Sequence, residues 1–211
     1  MIAEDGEAGR REPGSGRSAE HGSLEPRRRI LEALIQTAAR ESYDGTCVER
    51  VLSAAKLPAA VFQEYFQDIQ DCFLQASDEL VGQLELTLLR STYVQASWPE
   101  RIQRGLQTLL RVVAEHPHHA RVVAVECPRA GQRASDRLRA AEAVFVPLFE
   151  EGRTYAASVD HLPQEISQAM VGGIASIVHT RIVDGRVAEL PSLLPDLLAF
   201  ALMPYAGTAV A

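Results

Sequence analysis

The stretch Thr46–Phe66 constrains the chain more than any other. Val48, Val51 and Leu52 put apolar side chains on one face of a short helix that ends at Ala54-Ala55. Lys56-Leu57 makes a break, and Pro58 opens a second segment with apolar positions at Val61, Phe62, Tyr65 and Phe66. Two short helices across so tight a turn outline a helix-turn-helix, whose second helix normally enters a DNA major groove. A unit this small cannot bury its own core, so it needs a supporting helix and a larger body.

The neighbouring sequence supplies both. Ile30, Leu31, Leu34, Ile35, Ala38 and Ala39 form a broad apolar face on a helix from about Pro26 to Glu41. Tyr43-Asp44-Gly45 breaks it, and Thr46 can cap the next helix with Glu49 at the capping-box position. After Phe66, Asp68 caps a long helix to about Tyr93, and Ser97-Trp-Pro-Glu100 opens another. Pro117 and Pro128 bracket a short helix at about His118–Glu126. A further helix covers about Ala134–Glu151, bent near Pro147, and Tyr155–His161 reads as loop.

From Pro163 to Asp184 the sequence is apolar on more than one face, with Gly172-Gly173 in the middle. Two glycines cost a helix about 1.5–2 kcal/mol relative to alanine, so a close-packed neighbour is expected there. The last helix, about Pro191–Tyr205, carries leucines round most of its circumference. Two such helices suggest a four-helix bundle across a two-fold axis. The expectation is an all-α protein with a three-helix head, a helical body and dimerisation through the last two helices. Residues 1–24 read as disordered, 25–67 as the head and 68–211 as the ligand-binding and dimerisation body.

Composition narrows the partners. The 211 residues carry a formal net charge of −7, which argues against coating nucleic acid by bulk attraction. Residues 27–75 hold six cations and seven anions, net −1. Arg27-Arg28-Arg29 is the densest positive run, readable as phosphate or minor-groove contact or as a solvated helix start. Cys47, Cys72 and Cys127 form no CxxC pair, so structural disulfides and a cysteine zinc site are not expected, and a reducing cytoplasm suits them. The mostly apolar runs near Ala169–Val178 and Leu197–Met203 are too short to span a bilayer, so no membrane partner is expected.

These motifs carry a family resemblance. Arg29-Ile30-Leu31-x-Ala33, Gly45-Thr46-x-Val48, Ala54-Ala55-Lys56-Leu57 and Phe62-x-x-Tyr65-Phe66 resemble the head of the tetracycline-repressor (TetR) family of bacterial transcription regulators. Ala124-Val-Glu-Cys-Pro128, Val171-Gly-Gly-Ile174 and Leu190-Pro-x-Leu-Leu-Pro-x-Leu197 look like the regulatory half of actinobacterial members. The resemblance implies a homodimer whose heads bind a double-stranded DNA operator and are released by a small-molecule effector in the body. Three positions depart from the family pattern: Lys56 replaces the usual turn glycine, Gln63 a phosphate-touching tyrosine, and Ile69 a lysine.

The candidate DNA-binding residues are therefore Arg27, Arg28, Arg29, Thr46, Lys56, Pro58, Ala59, Ala60, Gln63 and Tyr65. Gln63 can read adenine, and Ala59 or Ala60 can meet a thymine methyl. The candidate effector-site residues are Trp98, Glu126, Phe145, Phe149 and His179, each of which could equally serve packing or the surface. His116, His118 and His119 cluster around Pro117, a helix junction where histidines commonly meet terminal carbonyls rather than a metal. No GxSxG, glycine-rich phosphate loop or HExxH occurs, so neither catalysis nor a cofactor is expected.

Overall fold

The computed structural model describes residues 16–93, 96–156 and 162–205, which are helical and contain no strand. Helix α1 is Gly16–Glu41. It begins upstream of Pro26, so residues 16–24, expected to be disordered, are helical; residues 1–15 lie outside the described part. Its inner face, Ile30, Leu34 and Ala38, is fully buried. Helices α2 (Val48–Ala55) and α3 (Ala59–Tyr65) pack on it through Val51, Leu52 and Phe62. Burying each large side chain here is worth about 1.5–3 kcal/mol, which holds together helices too short to persist alone.

Two local details differ from the sequence reading or sharpen it. Cys47, not Thr46, is the N-cap of α2. The Thr46 hydroxyl instead donates to the Ser42 carbonyl at 2.7 Å, closing the turn after α1. The break after α2 keeps left-handed geometry at Lys56, with φ 55° and ψ 48°. The Lys56 N–H bonds back to the carbonyls of Leu52 and Ser53, and the Leu57 N–H to Leu52 at 3.1 Å. The helix end is thus satisfied in the way glycine usually allows, but with a lysine in the strained position.

The body begins with α4 (Ile69–Thr92), capped by the Asp68 carboxylate accepting the Asp71 N–H at 2.8 Å. Helix α5 (Trp98–Glu115) opens with the Glu100 carboxylate accepting the Ser97 N–H at 2.9 Å, as the capping-box spacing predicts. The short helix between Pro117 and Pro128 is irregular. Helix α6 (Pro117–Arg121) runs into a π-helical turn, Val122–Glu126, and then a 3-10 turn, Cys127–Ala130. The Cys127 N–H reaches back five residues to Val122, the widened spacing of a π-bulge.

The long helix expected over 134–151 is two helices, α7 (Gln132–Ala143) and α8 (Val146–Glu150). Pro147 sits in the first turn of α8, where its missing N–H is harmless, so the chain breaks ahead of it instead of bending through it. A 3-10 helix, Glu151–Tyr155, follows. Helix α9 (Ile166–Val183) buries a stripe of Met170, Ile174, Val178 and Ile182. A Cβ on Gly173 would lie 2.9 Å from the Phe200 ring, so Gly173 marks the close approach expected there; Gly172 faces open space. A 3-10 segment, Val187–Leu193, leads into α10 (Leu194–Leu202).

At 18 residues and mean hydropathy 1.2, α9 is long and apolar enough to cross a bilayer by length and composition alone. This corrects the shorter run read from sequence. Core helices pass the same test, and the α9 stripe belongs to the body core.

Two apolar clusters organise the structure. One joins α1, α2, α3 and the first half of α4 to Val122, Cys127, Ala130 and Ala134. The other fills the body around Trp98, Leu110, Ile174, Leu190 and Tyr205. The π-helical turn lies at the seam. Val122 and Val123 pack with the head cluster, while Ala124 and Val125 pack with the body cluster.

Candidate functional site

The outer face of the head is built by α3 and the turn before it. Pro58, Ala59, Ala60, Gln63 and Glu64 are exposed, Tyr65 is half-buried, and Phe62 anchors the helix from below. Short side chains and one glutamine leave this face open for close approach, and no cation lies on α3. Lys56 is exposed beside it. Thr46 is buried, with its hydroxyl committed inside the head.

Two members of the arginine triplet have structural duties. Arg27 pairs with Glu79 at 2.6 Å, donates to Gln75 at 2.9 Å, and lies 5.8 Å from the centroid of the Phe66 ring, tying α1 to α4. Arg29 donates to the backbone carbonyls of Ala55 and Lys56, capping the C-terminal end of α2. A guanidinium at those carbonyls offsets the helix dipole and braces the strained turn. Only Arg28 of the three points outward, 71% exposed and paired with Glu25 on its own helix. Sequence alone could not separate them, because the partners of Arg27 and Arg29 lie 26 to 52 residues away.

The body holds a cavity of about 550 Å³ between α4, α5, α6, the π-helical turn, α7, α8 and α9. Its wall is mainly aliphatic, including Leu84, Leu88, Leu109, Val112, Val171 and Ile174. This size and character are ordinary for a small-molecule site. Of the five candidate effector-site residues, Phe145, Phe149 and His179 line it.

Trp98 and Glu126, also expected at the effector site, do not line the cavity. Trp98 is 3% exposed. Its indole N–H donates to the Leu148 carbonyl at 2.7 Å, and its ring stacks on Tyr155 and meets Tyr205 edge-on. It is a core anchor, with Gly152 making room for its ring. Glu126 is fully buried on the head side of the π-helical turn, where its Oε2 accepts the Tyr43 N–H at 2.9 Å.

Polar groups at the cavity not expected from the sequence include Glu142, Glu85, Arg111 and Glu115, and the junction histidines His116 and His119 also reach it. Glu85 is paired with Arg137 at 2.9 Å and Arg111 with Glu115 at 2.7 Å. The Glu142 carboxylate has no hydrogen bond or ion pair among the described residues, and burial pushes it above the usual range. The His116 and His119 rings stack 5.3 Å apart, and burial holds His119 below the ordinary imidazole range. Among the described residues no group of histidines, cysteines and carboxylates could hold a metal ion.

The sequence matches no family model and no curated protein. Solved structures do match. The fatty acid degradation regulator FadR from Bacillus halodurans superposes with TM-score 0.73 at 16% identity, over 83% of this chain and 97% of that one. The transcriptional regulator FadR from Bacillus subtilis, solved in complex with stearoyl-CoA, gives TM-score 0.73 at 16% identity over 84% and 98%. A TetR family transcription regulator from Marinobacter aquaeolei VT8 gives TM-score 0.70 at 17% identity over 89% and 97%. These neighbours are transcription regulators, not enzymes. The chain therefore has the all-helical fold of TetR-family regulators, head and body included.

Proposed function

We propose that the chain is a TetR-type transcription regulator, most simply a repressor, that binds operator DNA as a homodimer and is released by a small-molecule effector. The observation that carries this reading is the pairing of an outward-facing helix-turn-helix with an apolar cavity in one fold. Helix α3 supplies shape and a few base contacts through Gln63, Ala59 and Ala60, while Lys56 and Arg28 meet phosphates. The outer surface of α9 and α10 forms the dimer seam. Ile177, Val183 and Met203 are 36%, 51% and 69% exposed there, which favours cover by a second copy.

The effector is a ligand with an apolar body, and an acyl chain of the kind carried by stearoyl-CoA suits the aliphatic walls. Release then requires only that the ligand bind the spread pair of heads more tightly. A preference of a few kcal/mol switches occupancy.

One set of observations favours a second reading, a TetR-fold ligand-binding protein whose head does not read DNA. Helix α3 has no cation, and Arg27 and Arg29 are engaged inside the head. Fluorescence anisotropy on the DNA upstream of the chain's own coding region, against a scrambled duplex, separates the two. The first reading expects specific binding at low salt, weakened by stearoyl-CoA or free stearate. Equal binding to both duplexes, or none, leaves the second.

A further inference from the structure

We propose that Glu126 is the positioning residue through which the head senses the body cavity, an inference that rests on the regulator reading above for its purpose. Glu126 lies on the π-helical turn Val122–Glu126, whose residues Val123 and Ala124 line the cavity. The same turn reaches the head on its other side. There the Glu126 Oε2 accepts the Tyr43 N–H at 2.9 Å, across 83 residues of sequence. Tyr43 sits in the turn between α1 and α2, and its ring meets Phe73 of α4 edge-on at 4.9 Å. A displacement of the cavity wall is therefore carried by one carboxylate to the point that sets how α2 and α3 stand on α1 and α4.

The chemistry suits a linkage more than a passive core contact. A fully buried carboxylate is costly unless it is paired. Here Oε1 makes no hydrogen bond among the described residues and has only Arg121 at 3.8 Å. Oε2 has the Tyr43 amide and Arg129 at 3.7 Å. An apolar residue would pack this seam with less desolvation. What the carboxylate adds is a directional bond to the head, plus loose charge contacts to two half-exposed arginines that can follow a shift. The π-helical spacing supplies the slack, since π-bulges are points where a helix can change register locally.

The test reads the Tyr43 amide directly and needs no DNA. Selective ¹⁵N-tyrosine labelling gives at most five amide signals from the full-length protein, and Tyr43→Phe assigns the relevant one. Amide exchange at Tyr43 should be about tenfold faster in Glu126→Ala, the loss expected for one hydrogen bond. Glu126→Gln, whose amide oxygen can still accept, should stay within about threefold of the parent. The Tyr205 amide in the body core serves as the control and should not move in either variant.

The cavity arm uses Ala124→Leu, which adds bulk to the wall without requiring a known ligand. It should shift the Tyr43 signal in the parent and in Glu126→Gln but not in Glu126→Ala, a non-additive cycle. Unchanged Tyr43 exchange in Glu126→Ala would overturn the proposal, as would an Ala124→Leu effect independent of residue 126. If Glu126→Ala does not fold, Glu126→Gln alone decides. Retained Tyr43 protection with the Ala124→Leu shift supports the linkage, and lost protection or no shift refutes it. A chain that shows this linkage yet never binds DNA would sink the regulator reading and leave the linkage standing.

Discussion

Replacing Lys56 by glycine should strengthen the fold and weaken the grip on DNA, two effects that a general disturbance of the head would not produce together. Lys56 holds φ 55° and ψ 48°, a conformation that costs an L-residue about 1–2 kcal/mol. Glycine removes that strain and keeps the backbone bonds to Leu52 and Ser53, since they involve only the N–H. Against this, glycine adds about 0.4–1 kcal/mol of chain entropy to the unfolded state. The Lys56 side chain is exposed and has no ion pair among the described residues, so little else is lost. The net gain is about 0.5–1 kcal/mol, or a rise of about 1–4 °C in the midpoint of thermal unfolding for a chain of this size. The melt must be run at fixed protein concentration, because the proposed dimer would add a concentration-dependent contribution to stability. If Lys56 also touches a phosphate, the variant should bind operator more weakly, with the salt slope reduced by about one. A midpoint lowered by more than 2 °C would refute the strain argument. Unchanged DNA affinity would remove Lys56 from the interface.

Three further outcomes follow from packing and burial. Gly172→Ala should stabilise by about 0.8–1 kcal/mol through helix propensity, because its Cβ meets open space. Gly173→Ala should instead be less stable than Gly172→Ala by about 1–3 kcal/mol, because its Cβ lies 2.9 Å from Phe200; urea midpoints of the pair test both. Under native conditions a thiol reagent should label Cys47 quickly and the other two cysteines slowly. Burial pushes the Cys72 thiol up to about 12 and raises that of Cys127, whereas Cys47 is half-buried; mass spectrometry before and after denaturation reads this. Acidification from pH 7.5 to 5.5 should destabilise the protein partly through His119. Its folded pKa is lowered by burial, so the unfolded state takes up the proton first as pH falls through about 6.5, and stability is lost. His119→Gln should flatten that part of the profile.

The head was legible because its signals are local. Apolar spacing, the break at Lys56-Leu57, Pro58 and the cap at Asp68 act within a few residues, and the structure places helices there. The left-handed conformation at Lys56 was not legible from the residue itself, because a lysine gives no local signal for a positive φ. What the sequence concealed was the use of polar side chains at long range. Arg27, Arg29 and Glu126 look like free charges in a one-dimensional reading, yet each holds a distant part of the chain. Trp98 and Phe149 are both bulky residues at apolar helix positions. Only the three-dimensional arrangement puts the first in the core and the second at the cavity. The break between α7 and α8 was misplaced for a local reason: a proline in a first turn and a proline in a helix interior look alike until the turn is defined.

The central claim is that α3 is presented to read DNA, and Gln63→Ala tests it most directly. Gln63 is exposed on that helix and should not affect folding when truncated. Binding of parent and variant is compared on the upstream duplex and on a scrambled duplex at one salt concentration. The variant should lose about 1–3 kcal/mol on the specific duplex, roughly five- to 150-fold, with no change on the scrambled one. Equal loss on both duplexes, or a parent that does not distinguish them, would contradict that claim.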